Sequence, residues 1–222
     1  MRASLDTNVI IHFYRAGLQK ILFEFFEDGV FIYEQIRNVE LEHHAQDLLD
    51  VIDADIAAGK IEVYTKDKLK SQSVLRLFEL HVKENRLLYN PGDLGEVYAI
   101  SLAQTIGAYS LVTDDIKQGG PYMSLLQYED AIMPFTFADV LILRYLLDVV
   151  DEKETVDNFN DINDRSDLKW SFKSQIAKFI RRFLQSPYRE EDKQWMQQLV
   201  DENRIKVRSK FGALSRAIDG IE

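Results

Sequence analysis

The 222-residue sequence predicts an α/β protein, a three-layer α/β/α sandwich around a central parallel sheet, with a helical C-terminal extension. Short apolar runs rich in β-branched residues alternate with stretches of helical periodicity. That alternation is the mark of βαβ crossovers, which require a parallel sheet covered on both faces. No internal repeat of fixed period competes with it. Beyond residue 150 the strand-like runs stop and only helical patterns remain, so a domain over residues 1–150 and an extension over residues 151–222 are expected.

The elements follow in order. Residues 2–5 are apolar enough for a strand buried on both faces. Phe13, Leu18, Ile21, Leu22 and Phe25 then mark a helix stopped by Glu27-Asp28-Gly29. Residues 30–33 (VFIY) read as a second strand. Val39, Leu41, Leu48, Leu49, Ile52 and Ile56 mark one long helix ending near Gly59, and residues 60–64 (KIEVY) a third strand. Helical periodicity returns over residues 69–84, and "NPGD" at 90–93 breaks it. Asp93 followed by Glu96 has the form of a capping box for a helix that Gly107 ends. Residues 109–113 (YSLVT) form a fourth strand stopping at Asp114-Asp115. A short strand at 131–134 and a helix over 137–150 complete the unit.

The acidic stretch 151–167, almost devoid of apolar residues, reads as a linker. Past it, Phe172, Ile176, Phe179, Ile180, Phe183 and Leu184 share one helical stripe, and a last helix is expected over 190–204. Charge divides along the same line. Residues 165–222 hold 13 Lys and Arg against 8 Asp and Glu, and residues 1–164 hold 14 against 29, so the net −10 splits into +5 and −15. The absence of cysteine excludes disulfides, zinc-thiolate sites and a cysteine nucleophile. The longest apolar run, residues 137–150, carries Asp139 and Arg144 and falls short of the roughly 20 residues a membrane span needs. The N-terminus lacks a signal-peptide layout. A cytoplasmic protein without membrane attachment is therefore expected.

The acidic residues at strand ends carry the functional argument. In an open parallel sheet, ligands bind beyond the carboxyl ends of the strands. Asp6 ends the first strand, Asp114 and Asp115 end the fourth, Glu96 opens the helix before it, and Glu40 begins the helix after the second. Carboxylates crowded at one spot repel strongly in a low dielectric unless some protonate or a divalent cation binds. Hard oxygen donors without cysteine suit Mg²⁺ or Mn²⁺, and an ion so held favours phosphodiester hydrolysis. Thr7 and Asn8 would be polar neighbours that orient Asp6. Each residue also has a plainer reading: Asp6 as a strand-end cap, Glu96 as the capping-box partner of Asp93, and Asp114-Asp115 as a turn.

In order, "SLDTNVII", "VELE", "LGEVYAISLA" and "LVTDD" resemble the four acidic motifs of the PIN-domain ribonucleases, over residues 1–148. The resemblance implies an α/β/α sandwich that holds Mg²⁺ or Mn²⁺ and cuts RNA. Many members are toxins of toxin–antitoxin pairs, of the VapC type, and are dimers, so a homodimer and an antitoxin partner are implied as well. Carried over, Asp6, Glu40, Glu96 and Asp114 take the catalytic positions, with Asp6, Glu96 and Asp114 holding metal and Asp115 sharing the part of Asp114. Glu34 and Glu42 flank Glu40 as rivals for the second motif. The chain continues some 70 residues past the point where small toxins of this family end.

Other readings remain open at this level. A haloacid-dehalogenase-like phosphatase also places an Asp after strand one, but it wants a second Asp where Asn8 stands. A PIN-fold binding or assembly module without catalysis is the non-enzymatic alternative. Glu40 and His43 have the Glu-x-x-His spacing of di-iron bundles, which need a second such pair; His43 and His44 are expected on an exposed helix face. His12 reads as a residue early in the first helix, within reach of substrate. In the extension, Lys173, Lys178, Arg181 and Arg182, with Lys169, are candidates to hold RNA phosphates.

Overall fold

Strands β1 (Ala3–Leu5), β2 (Val30–Tyr33), β3 (Glu62–Tyr64), β4 (Ser110–Val112) and β5 (Met133–Phe135) form one sheet in the order β3-β2-β1-β4-β5. All four pairings are parallel, and Ala3 lies opposite both Val30 and Ser110. The computed structural model describes residues 1–89, 93–114, 132–185 and 189–220. Every residue of β1, β2, β4 and β5 is buried, as a sheet covered on both faces requires; β3, at the edge, leaves Glu62 exposed. The order reverses between β1 and β4. Right-handed crossovers to the two sides of that point fall on opposite faces of the sheet.

On the β1-to-β3 side run α1 (Thr7–Ala16), α2 (Lys20–Phe25), a π-helical turn (Ile36–Glu40), the short α3 (Leu41–His44), a 3₁₀ turn (Gln46–Leu48) and α4 (Leu49–Ala57). The single long helix expected over this last region is broken at Ala45, whose φ of −148° ends α3. Glu42, His43, His44, Gln46 and Asp47 are all exposed, so only Leu41 and the fully buried Ala45 hold this stretch to the core. Between β3 and β4 come α5 (Lys66–Ser71), α6 (Leu75–Asn85) and α7 (Leu94–Ile106). The periodicity over 69–84 resolves into two helices because Ser73 adopts the left-handed φ of 63°. Phe31, Tyr33, Tyr64, Leu69, Phe78 and Leu102 make a core cluster between sheet and helices. Burial there pushes the Tyr33 phenol up to about 12.

Contacts divide the chain into two compact units, Met1–Thr136 and Phe137–Glu222. The second contains α8 (Phe137–Leu146), α9 (Glu152–Arg165), α10 (Phe172–Ile180), a π-helical turn (Arg181–Gln185), α11 (Glu190–Asn203) and α12 (Val207–Asp219). The stretch expected as an acidic linker is α9. Asp151 caps it by accepting from the Glu154 amide at 2.8 Å, and Val156, Phe159 and Ile162 are buried three residues apart along one face. Helix α12 lies beyond the last element the sequence suggested.

Aromatic rings organise this unit. Trp170 stacks on Phe137 at 5.0 Å, Phe137 on Phe159 at 5.5 Å and Phe159 on Phe172 at 4.2 Å. Of the expected stripe, Phe172, Ile176, Phe179 and Phe183 are buried. Among the described residues no helix is long and apolar enough to cross a membrane.

Candidate functional site at the β1–β4 edge

Strand β1 passes into α1 through one residue. Asp6 extends the ladder by donating its amide to Val112 O at 2.9 Å, and in the same position it is the N-cap of α1, with φ −81° and ψ 155°. Its Oδ1 accepts from the Thr7 amide at 2.6 Å, and its Oδ2 from the Thr113 hydroxyl at 3.1 Å. The carboxylate is 1% exposed. The plain reading, a helix cap, therefore holds as far as it goes, but a cap need not be buried in a crevice between two strand ends.

Helix α7 closes one wall. The Ser4 hydroxyl donates to Ala99 O at 2.8 Å, tying α7 across β1. At its N-terminus, a Cβ on Gly95 would stand 2.9 Å from Thr7 Oγ1 and 3.4 Å from Asp6 Oδ1. Only glycine allows that approach. The N-termini of α1 and α7 thus converge on Asp6, and both helix dipoles favour negative charge there. Glu96 follows Gly95 in the first turn of α7 and is partly buried. Asp93 occupies the N-cap position, but its side chain makes no capping hydrogen bond. At φ −89° and ψ 50° its backbone departs from the extended form that Asp6 and Asp151 use, so the expected Asp93 cap is not formed.

Asp114 follows Thr113 at the end of β4 and is 5% exposed. Its Oδ2 lies 2.6 Å from His12 Nδ1. An ionised carboxylate only accepts, so the imidazole donates. The sequence suggested His12 as an early helix residue that could reach substrate; its contact with Asp114 is what that reading missed. The available signal was its place four residues after Asn8, a polar pair on one face of a helix otherwise built from Val9, Ile10, Ile11 and Phe13.

The structure thus brings Asp6, Asp114, Thr7 and the first turn of α7 to one edge. Glu40 ends the π-helical turn after β2, with its Oε2 3.9 Å from His44 Nε2. Among the described residues no three Asp, Glu or His side chains are grouped closely enough to hold an ion together. Asp115 lies outside the described residues. The donor set still fits Mg²⁺ or Mn²⁺, because Mg²⁺ is commonly bound through one or two carboxylates and keeps several waters. Thr7 Oγ1, buried beside Asp6 and without a hydrogen-bond partner among the described residues, is a further oxygen donor at the same spot.

In the C-terminal unit the four basic candidates separate. Lys173, Lys178 and Arg181 are exposed, and Lys173 pairs with Asp219 at 2.6 Å. Arg182 is buried, its Nε donating to Asp192 Oδ2 at 2.6 Å with Asp139 3.6 Å away, so it is not available to a phosphate from solvent. The composition of the stretch cannot tell Arg181 from Arg182; only the helical phase, one residue apart, does. Compared with known proteins, the chain matches no family model, no curated protein and no solved structure.

Proposed function

We propose that this chain is a metal-dependent endoribonuclease of the PIN type. The observation that carries the reading is the pair of buried carboxylates, Asp6 and Asp114, just past the carboxyl ends of neighbouring parallel strands at the point where the strand order reverses. That is where open α/β sheets bind ligands. A carboxylate buried at such an edge is costly to keep unless it serves a bound group.

Asp6 and Asp114 would hold Mg²⁺ or Mn²⁺, with Glu96 and Asp115 assisting. A bound ion would supply Lewis-acid polarisation of a phosphoryl oxygen and an activated water. The chain's own contribution is positional. The Thr7 amide and Thr113 hydroxyl fix both oxygens of Asp6, and the glycine at 95 keeps α7 close enough to wall the crevice. Residues 1–164 repel a polyanion with their net −15. Lys173, Lys178 and Arg181 are the side chains that would offset this by contacting phosphates.

The test is cleavage of a labelled, unstructured RNA with Mn²⁺, with EDTA, and by Asp6→Asn, alongside measurement of Mn²⁺ binding. Cutting that needs the metal and falls at least 100-fold in Asp6→Asn is expected, in line with the loss of an electrostatic catalytic group. Mn²⁺ binding that is unchanged by Asp6→Asn and accompanied by no cleavage would refute the reading.

A further inference from the structure

We infer that His12 is a positioning residue that fixes the Asp114 carboxylate, and that α1 thereby sets the geometry of both acidic groups at the site. This rests on the nuclease reading above.

The argument begins with α1 itself. Its first amide, at Thr7, holds Asp6 Oδ1 at 2.6 Å, and its second turn returns His12 to Asp114 Oδ2 at 2.6 Å. Two carboxylates carried by different strands are therefore tied to one ten-residue helix. The five residues from Thr7 to His12 advance about 7.5 Å along the axis. A rigid element of fixed rise thus separates the two anchoring donors.

The helix cannot drift. At its other end Tyr14 donates to Asp55 Oδ2 at 2.8 Å, and Lys60 holds Asp55 Oδ1 at 2.8 Å. Burial, and then the Asp55 hydrogen bond, push the Tyr14 phenol far above its usual range, so it remains a donor at any working pH. Burial also favours a specific role for His12. Its side chain is 11% exposed and Asp114 5%, which shields the contact from water and makes it a directional constraint rather than a screened surface pair. A carboxylate that offers an oxygen to a ligand is usually oriented by a donor on the other oxygen or on the remaining lone pairs, and removing such a donor typically costs 10- to 100-fold in metal affinity or activity.

Two substitutions separate positioning from packing. The Asn amide nitrogen superposes on the imidazole Nδ1, so His12→Asn keeps the donor, whereas His12→Leu keeps bulk and loses it. For His12→Leu, Mn²⁺ affinity measured by electron paramagnetic resonance is expected to fall 10- to 100-fold. kcat on RNA should drop by a similar factor, with KM changed less than about twofold, because the phosphate contacts proposed above are made by other side chains. His12→Asn should recover at least tenfold of the lost affinity. Melting temperatures confirm that both variants fold. Unchanged affinity and kcat in His12→Leu, or equal impairment of the Leu and Asn variants, would overturn the inference while leaving an active wild-type nuclease in place. A wild-type protein that neither binds Mn²⁺ nor cuts RNA would instead remove the nuclease reading, and this inference with it.

Discussion

The two units bury carboxylates in different company. In the C-terminal unit Asp192 is fully buried, and guanidinium groups answer it: Arg182 Nε at 2.6 Å and Arg189 Nε at 3.8 Å. At the sheet edge Asp6 is held by a backbone amide and a hydroxyl, and Asp114 by an imidazole. The first arrangement neutralises charge and has the look of a structural ion-pair network. The second orients carboxylate oxygens with an amide, a hydroxyl and an imidazole, and keeps glycine where a side chain would crowd Asp6. The difference teaches what burial alone does not: a buried acid matched by arginine is compensated as a structural ion pair, whereas the two at the strand ends are held without any guanidinium partner in the contacts described, which is the arrangement the proposed site draws on.

The sharpest way to break this contrast is to neutralise one acid of each kind. Asp192→Asn leaves Arg182 buried with its nearest counter-charge removed, so a loss of about 3–5 kcal/mol in urea or thermal unfolding is expected. Asp6→Asn should change stability by less than about 1 kcal/mol, because Asn caps a helix as well as Asp does and the Thr113 hydroxyl can rotate to accept. Equal losses in the two variants would erase the distinction. Next in size is Gly95→Ala. The added methyl meets Thr7 Oγ1 at 2.9 Å, and overpacking of this kind costs about 1–3 kcal/mol. In a double-mutant cycle, Thr7→Ala should recover part of that loss, since the two residues touch; strict additivity would count against the close approach of α7.

A third carboxylate, at the exposed start of α9, tests the ordinary capping value: Asp151→Ala should cost about 1 kcal/mol by the same unfolding measurement. The smallest effect concerns an exposed guanidinium pair. The hydrogen bonds from Arg37, both at 2.5 Å, hold the Asp53 carboxyl below its usual value. A depressed folded value means stability that is present above the unfolded pKa and lost as pH falls through the folded one, below about pH 4. With Asp53 nearly half exposed, solvent screening limits the contribution to roughly 0.5 kcal/mol. A stability profile of wild type against Asp53→Asn from pH 6 to pH 2 should show the two curves converging at the acid end.

How far the sequence could be read follows the range of each signal. The five strands and their parallel pairing were legible because buried strands leave short apolar runs that helices separate. Asp6 was legible because such a run stops abruptly on Asp-Thr-Asn. The contact between His12 and Asp114 joins residues 102 positions apart; the Asn8–His12 spacing can mark a polar helix face but not the partner that face meets. Helix α9 was hidden by its own composition, since its acidic face outnumbers the three apolar residues that anchor it. Arg182 was misread for a related reason. A basic residue in a basic stretch suggests solvent, and its partner Asp192 sits ten residues further along the chain, on another helix. The break at Ala45 and the left-handed Ser73 escaped because apolar periodicity runs through both without a glycine or proline to mark them.

The stacked rings of Trp170, Phe137, Phe159 and Phe172 bear on how the protein can be cut. A truncation after residue 150 follows the change in composition and looks natural on paper. It would keep α8 and the Phe137 ring while discarding Phe159 and Trp170, the two rings that flank it. All ten residues of α8 are buried in the intact chain. The shortened protein would lose the α9 and α10 surfaces that pack on that helix, and the apolar side chains they cover would meet water and favour self-association. Ending the chain at Thr136 avoids the exposed ring and is the better place to ask what the sheet does alone.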